Sequence, residues 1–252
     1  MIAIEPVDAL DFKLAPGVWD FAQQRAAEID AHWERRLAEQ PRLFNGRVLM
    51  LGPHVIEARV LKGTFLETDF KNFLAWREFG FPESNARNGF SMAALRGADG
   101  AFLLGEMASH TASAGAVYFP AGTPDPSDVF GDIVDLDASV RRELFEETGL
   151  QAAADEIAQG WIVTRAPGRV ACMKPIRLKL SADEARAHIE AALAAEARPE
   201  FSRIHIVRSP ADFTDSMPEF VCVYMAHLFE RESRHREPSV AIQPRRDRRL
   251  SG

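Results

Sequence analysis

The sequence predicts an α+β (mixed α/β) fold with strands in hairpins and helices interspersed, rather than a doubly wound sheet. Three observations predict it. Short apolar runs are joined by Gly- and Pro-containing turns. Amphipathic segments with helical spacing are bounded by caps or proline. No internal repeat is visible. The composition, 46% hydrophobic and 27% charged over 252 residues, excludes wholesale disorder and supplies a sizeable core.

Residues 18–39 read as an amphipathic helix, with Ala22, Ile29, Trp33 and Leu37 at intervals of seven and four and Pro41 as its stop. Asn45-Gly46 signals a turn, and strand-like segments 47–51 and 55–61 follow, split by Gly52-Pro53-His54. Segments 91–96 and 101–106 flank Gly97-Ala98-Asp99-Gly100 as a hairpin. A short strand at 116–119 enters Pro120-Ala121-Gly122, and 123–132 is a Pro/Asp-rich loop. A helix spans 135–148. Strands at 161–165 and 170–180 are joined by Ala166-Pro167-Gly168. Ser181-Ala182-Asp183-Glu184 is a capping box that opens a helix running toward Ala197, before Pro199. The last strands are 203–207 and 220–229.

The helix at 135–148 breaks local rules. Leu136, Val140 and Leu144 form its buried stripe, and Gly149 is a left-handed cap with Leu150 able to fold back on Phe145. Glu143, Glu146 and Glu147 then share an arc of roughly 100°. Each like-charge pair costs about 0.2–0.5 kcal/mol. Glu146 and Glu147 also occupy the last turn, where the helix dipole disfavours anions. A bound cation compensates, and carboxylate oxygens suit Mg²⁺ or Mn²⁺; a solvated acidic face is the alternative.

The string Arg142-Glu143-Leu144-Phe145-Glu146-Glu147-Thr148-Gly149-Leu150 matches the core of the Nudix box, Arg-Glu-aliphatic-x-Glu-Glu-x-Gly-aliphatic, at every defined position. The chain therefore resembles the Nudix hydrolases, which cleave nucleoside diphosphates linked to another moiety. The resemblance implies a Nudix α/β/α sandwich over residues 88–230, an N-terminal helix-plus-strands extension over 1–87 that packs on it, and a basic tail over 231–252. That tail carries seven Arg against Glu232, Glu237 and Asp247 and reads as a solvated end.

The resemblance also implies site roles. Glu146 and Glu147 are the principal metal ligands, and Glu143 is a further ligand or the base that activates water. Arg142 orients a carboxylate. The Ala121 carbonyl completes the metal shell, and Gly122 lets the loop approach the phosphates. An additional acid from a later loop is expected among Asp212, Asp215 and Glu219. Two departures stand out. The usual box has fourteen residues from its first Gly to its Arg, against twenty here from Gly122 to Arg142, so six residues must loop out within 123–132. Val134 falls where the box has a supporting Glu.

Pro41-Arg42-Leu43-Phe44-Asn45-Gly46 and Thr68-Asp69-Phe70-Lys71-Asn72-Phe73 resemble the N-terminal region of a Nudix subgroup with UDP-sugar hydrolase activity. That likeness implies UDP-glucose or UDP-galactose as substrate, giving UMP and the sugar 1-phosphate. ADP-ribose, another nucleotide sugar or a coenzyme A derivative is the alternative, and a nucleotide-binding module without catalysis is a second. Phe44, Phe65, Phe70, Phe73 and Trp76 are expected in the core rather than against a base.

The remaining signals set the context. His54, His110, His188 and His205 show no metal-ligand spacing. Cys172 and Cys222 show none either; they read as small core residues and fit a reducing, cytoplasmic setting. A net charge of −7 argues against nucleic acid as a partner. No apolar run approaches 18 residues, and Glu5, Asp8 and Asp11 interrupt the place of a signal peptide, so no membrane partner is expected. The expected partner is a small nucleotide diphosphate substrate.

Overall fold

In the segment Asn88–Arg96, the first eight residues are all buried. A strand buried on both faces needs a layer on each side, and its side chains alternate accordingly. Ala93 and Leu95 join one core cluster, while Phe90, Met92 and Ala94 join another. The computed structural model, which describes residues 2–236, builds these two layers around it.

The chain opens with β1 (Ala3–Val7) and β2 (Ala9–Leu14), then α1 (Asp20–Gln24) and α2 (Ala26–Glu39). The strands β3 (Arg47–Glu57) and β4 (Val60–Asp69) form a hairpin, followed by α3 (Phe70–Glu78). Next come β5 (Asn88–Arg96), β6 (Phe102–Met107), β7 (Val117–Tyr118) and β8 (Ala121–Gly122). A 3₁₀ turn at Pro126–Asp128 leads to the short strands β9 (Val129–Phe130) and β10 (Ile133–Val134). The rest is α4 (Leu136–Thr148), β11 (Trp161–Ala166), β12 (Arg169–Arg177), α5 (Ala182–Ala195), β13 (Phe201–Val207) and α6 (Glu219–Arg236).

The fold class is α+β, as expected. The larger sheet runs β1-β11-β12-β5-β6-β13, with β7 beside β6 and β8 beside β5. Its β5–β12 pair is parallel, and the other pairs are antiparallel. One face packs on α4 and α5 through Val140, Leu144, Ala185 and Ile189. The other packs on α6 through Phe220, Val221, Tyr224 and Met225. That is an α/β/α sandwich.

The smaller sheet runs β3-β4-β2-β10-β9. Leu49, Leu51 and Phe65 on one face of it enter the core shared with α4, whereas Val48, Met50 and Leu66 on the other pack against Trp19, Ile29, Phe73 and Trp76. Strands cross between the two sheets. β1 lies in the larger sheet, although β2 two residues later lies in the smaller one, and β9 and β10 are supplied from the middle of the chain.

Several elements differ from the sequence reading. Residues 220–229 are helix, not strand. Phe220, Val221, Tyr224 and Met225 are the buried set, spaced one, three and one apart, which is helical periodicity hidden in an aromatic and β-branched run. The expected helix 18–39 is two helices, broken at Arg25, and its buried residues are Phe21, Ile29 and His32 rather than the stripe through Trp33 and Leu37. Gly52-Pro53-His54 does not end a strand. It is a register shift within β3, and the turn comes at Ala58-Arg59, both at positive φ as a tight hairpin requires. β1 and β2 carry no sequence signal strong enough to have been expected. Phe145 is half exposed, and Leu150 packs on the core. Cys172 is buried in the core, while Cys222 lies half-buried on α6. Of the basic tail, Arg231–Arg236 continue α6, and 237–252 lie outside the described residues. Among the described residues no helix is long and apolar enough to cross a membrane.

Tyr224 tests the α6 assignment. It is fully buried beside Phe102 and Phe119, and its hydroxyl has no partner among the described residues. Tyr224→Ala is expected to lose about 3–5 kcal/mol in chemical unfolding. Tyr224→Phe, which removes only an unsatisfied hydroxyl, is expected to match or exceed the parent. Equal losses for both variants would contradict this packing.

Candidate active site

α4 starts on an Asp cap and ends on a glycine cap, as its sequence dictates. Asp135 accepts from the Asp137 and Ala138 N–H groups at 3.0 and 2.9 Å. Gly149 adopts φ 70°, in the left-handed region, and its N–H reaches the Phe145 carbonyl. Between the caps, Leu136, Val140 and Leu144 face the core. This fixes the rotation of the helix and so the direction of its acids.

The three glutamates are not equivalent. Glu147 is buried, 3% exposed, and accepts from the Ala121 N–H of β8 at 2.8 Å. Burial, and then the charge of Glu143, pushes its pKa well up. The Glu143 side chain is largely covered. Burial raises its pKa to about 7, with Arg142 opposing and Glu146, Asp128 and Glu200 adding to the rise. Glu146 is mostly exposed and accepts from Arg142 at 3.1 Å. The backbone of β8 passes so close that a Cβ at Gly122 would fall on the Glu143 carboxylate. Any larger residue there would have to push that carboxylate aside.

Arg142 is held by a residue that the sequence reading missed. Its guanidinium donates to buried Asp128 at 2.9 Å and pairs with Glu143 at 2.9 Å. Burial acts against its charge, but the Asp128 hydrogen bond and the neighbouring glutamates outweigh it and raise the pKa. Counted forward from Gly122, the sixth residue is Asp128. Asp128 is thus the acid that reaches Arg142 in the structure. The extra residues are 129–134, and they are not a loop. They form the β9–β10 pair, which joins β2.

The candidate later acids do not gather here. Asp212 caps its own 3₁₀ turn, accepting from the Arg208 and Ser209 N–H groups. Neither Asp215 nor Glu219 lines the cavity beside Glu143. Glu200, just before β13, does line it, and its charge acts on Glu143, Glu147 and Tyr118. No local pattern in the sequence marks Glu200, because only the return of β13 beside β6 brings it there.

That cavity, of about 950 Å³, opens beside Ala121, Gly122 and Glu143. The N-terminal segment supplies part of its wall through Arg36, Gln40, Phe70 and Phe73. Phe65 and Trp76 are core residues, while Phe44 is 82% exposed.

Carboxylate oxygens buried without an adequate counter-charge fit a hard divalent cation. Even so, among the described residues no three His, Cys, Asp or Glu side chains converge closely enough to hold one. Glu147 is turned toward the Ala121 N–H and Glu146 toward Arg142. The histidines have other partners where contacts exist: His54 meets the Gly52 carbonyl and His205 meets Glu106.

No family model and no curated protein matches the chain. Among solved structures it is similar to the MutT protein from Methanosarcina mazei Go1, at 19% identity over 57% of this chain and 94% of that one, with a TM-score of 0.37. It is also similar to RenU, a Nudix hydrolase from M. smegmatis, at 15% identity over 59% and 87% (TM-score 0.35). A third is a Nudix hydrolase from Nitrosomonas europaea, at 17% identity over 57% and 90% (TM-score 0.35).

The raised pKa of Glu143 gives a stability prediction. The folded chain keeps this proton up to about pH 7, whereas the ordinary value for a glutamate is 4.5. The folded state binds more protons across that window, so metal-free stability falls as pH rises through it. Calorimetric Tm in EDTA is expected to drop between about pH 4.5 and 7. Glu143→Gln should flatten part of that slope; an unchanged slope would contradict the assignment.

Proposed function

We propose that the chain is a divalent-metal-dependent hydrolase of the Nudix type, which cleaves the diphosphate of a nucleoside diphosphate linked to another moiety. The observation that carries this reading is a pair of carboxylates under β8, buried Glu147 on the Ala121 N–H and largely covered Glu143 beneath Gly122, the latter lining a ligand-sized cavity. In this reading Glu146, Glu147 and the Ala121 carbonyl hold Mg²⁺ or Mn²⁺, and Glu200 replaces Asp212, Asp215 and Glu219 as the acid from outside the motif. The ion supplies charge neutralisation at the phosphates and a lowered pKa for a water beside them.

The protein's own groups do the rest. Glu143, with a pKa raised to about 7, is poised to accept a proton from the attacking water near neutral pH. Arg142, fixed by Asp128, holds Glu143 and Glu146 in place. Gly122 removes the side chain that would keep phosphates away from Glu143. For the leaving moiety the reading is a UDP-sugar, UDP-glucose or UDP-galactose, yielding UMP and the sugar 1-phosphate. Its support is that the N-terminal segment carrying the subgroup likeness also walls the cavity.

A second reading, a nucleotide-binding module without turnover, is favoured by one observation: Glu146 lies on Arg142 instead of converging with Glu147. Turnover separates the two. With Mg²⁺ and a panel of UDP-sugars, ADP-ribose, dinucleotides and coenzyme A, phosphomonoesterase-sensitive product is expected from at least one member. Glu147→Gln is expected to lower kcat by about 10²-fold or more, as removal of a group that acts on the reacting charge does. Nucleotide binding in saturating Mg²⁺ without product would select the second reading.

Asp128 has its own test. Asp128→Asn leaves Arg142 without its buried anion, so Mg²⁺ affinity is expected to fall about 10–100-fold, the usual effect of losing a group that orients a ligand. Titration followed by calorimetry measures it, and affinity within twofold of the parent would exclude a positioning role.

A further inference from the structure

The arginines of the cavity differ in what neutralises them. Arg36 pairs with Glu39 and, at 3.4 Å, with Glu78. Arg77 reaches Glu78 only at 3.8 Å, and its donors go to the Ser113 hydroxyl and the Ala112 carbonyl at 3.1 and 2.9 Å. The Arg169 guanidinium makes no hydrogen bond or ion pair among the described residues.

The contacts of Arg169 are rings. Its guanidinium lies 4.2 Å from the centroid of Phe81 and 5.8 Å from that of Phe220. Ring faces attract the cation but leave its in-plane donors unused. Burial, and then the like charge of Arg77, lowers its pKa, and no carboxylate opposes them. An arginine does not escape by losing its proton.

The platform beneath it is built with strain. Phe81 has φ 58°, a left-handed conformation that a bulky residue rarely adopts. Trp76, fully buried, holds that turn at both ends. The Phe81 N–H donates to the Trp76 carbonyl at 3.0 Å, and Trp76 Nε1 donates to the Pro82 carbonyl at 2.9 Å. The two rings meet edge to face at 4.9 Å.

Asn88, the register partner of Arg169 across β5 and β12, lines the same cavity. It is 8% exposed, and its Oδ1 is buried without a partner among the described residues. A side-chain amide presents its oxygen or, when rotated, its N–H₂ to a ligand.

We propose that Arg169, with Arg77 and the Asn88 amide, forms an oxyanion subsite of this cavity that takes a phosphate or carboxylate group of the ligand. Its planar donors suit either group. The inference rests on the reading of the cavity as a substrate pocket, and it specifies an anion held by protein alone. Without a cation, the Glu143 and Glu200 side of the cavity offers an oxyanion only carboxyl groups, so binding in EDTA reports the arginine subsite.

The test is calorimetry on the full chain in EDTA, with inorganic pyrophosphate, UMP, UDP-glucose and UDP-glucuronate as probes. The parent is expected to bind at least one probe with an affinity that falls as salt rises. Arg169→Gln is expected to weaken it tenfold or more, and Arg169→Lys by less. Equal weakening for UMP, UDP-glucose and UDP-glucuronate places the nucleotide phosphate on Arg169. Weakening confined to UDP-glucuronate places a carboxylate of the linked moiety there. Absence of binding by the parent, or affinities for all four probes within twofold in Arg169→Gln, overturns the subsite. If Arg169→Gln fails to fold, judged by its Tm, Arg169→Lys and the salt dependence decide alone. Hydrolysis is read separately with Mg²⁺, so intact binding without turnover would refute the hydrolase and leave the subsite standing.

Discussion

Two carboxylates on the C-terminal half of α4, one buried and one largely covered, constrain much of the surrounding structure. Glu147 lies in the last turn of the helix, where the dipole disfavours an anion, and both it and Glu143 lie where water reaches poorly. What offsets them comes from three separate parts of the chain. β8 brings the Ala121 N–H to Glu147 and a glycine to Glu143. The 3₁₀ turn brings Asp128, which anchors the arginine beside Glu143. The shared core of Leu49, Leu51 and Phe65 with Val140 and Leu144 holds the smaller sheet against the same helix. Arg142 sits among Asp128, Glu143 and Glu146, three acids for one guanidinium. Ionising Glu143 and Glu147 together would leave negative charge that the described protein groups do not balance, which is the condition for recruiting a cation.

The exchange of strands between sheets gives the cavity its walls. β1 joins the larger sheet and β2, after a single intervening residue, the smaller one, so the two sheets are tied at the start of the chain. β10 ties them again from within the motif. The N-terminal helices are thereby held at the mouth of the site, where Arg36 and Gln40 of the α2 end and Phe70 and Phe73 of α3 face the same space as Glu143. The cavity is electrically divided, with acids along α4 and before β13, and arginines on α3 and β12. The net charge of −7 says nothing of this division, because the local arrangement and not the sum decides what binds.

How legible the site was depended on how local its cause is. The α4 caps and the buried stripe between them are set within one helix, and the sequence showed them fully. The α5 capping box, with Ser181 and Glu184 reciprocally bonded, was readable for the same reason. Glu200, Arg77 and Arg169 meet Glu143 only through the order of the sheets, so nothing near them in sequence marks them. The run 220–229 misled because β-branched and aromatic residues occupy a helix whose stability comes from burial against β5 and β6, and packing overrides propensity there.

The hairpin of residues 129–134 shows which spacings the site depends on. Gly122 must reach over Glu143, and Asp128 must reach Arg142; both demands are met by the six-residue spacing of 122–128 and by the rigid helix from the Asp135 cap onward. The link between Asp128 and Asp135 carries neither demand. Its ends are instead joined directly, since the Asp135 N–H donates to the Asp128 carbonyl at 2.9 Å. A hairpin inserted between groups already in contact leaves the geometry on both sides unchanged, and its own cost is offset by pairing with β2. The same six residues placed between Gly122 and Asp128, or between Asp135 and Arg142, would separate groups that must touch. The position of this hairpin, more than its length, is what makes it compatible with the site.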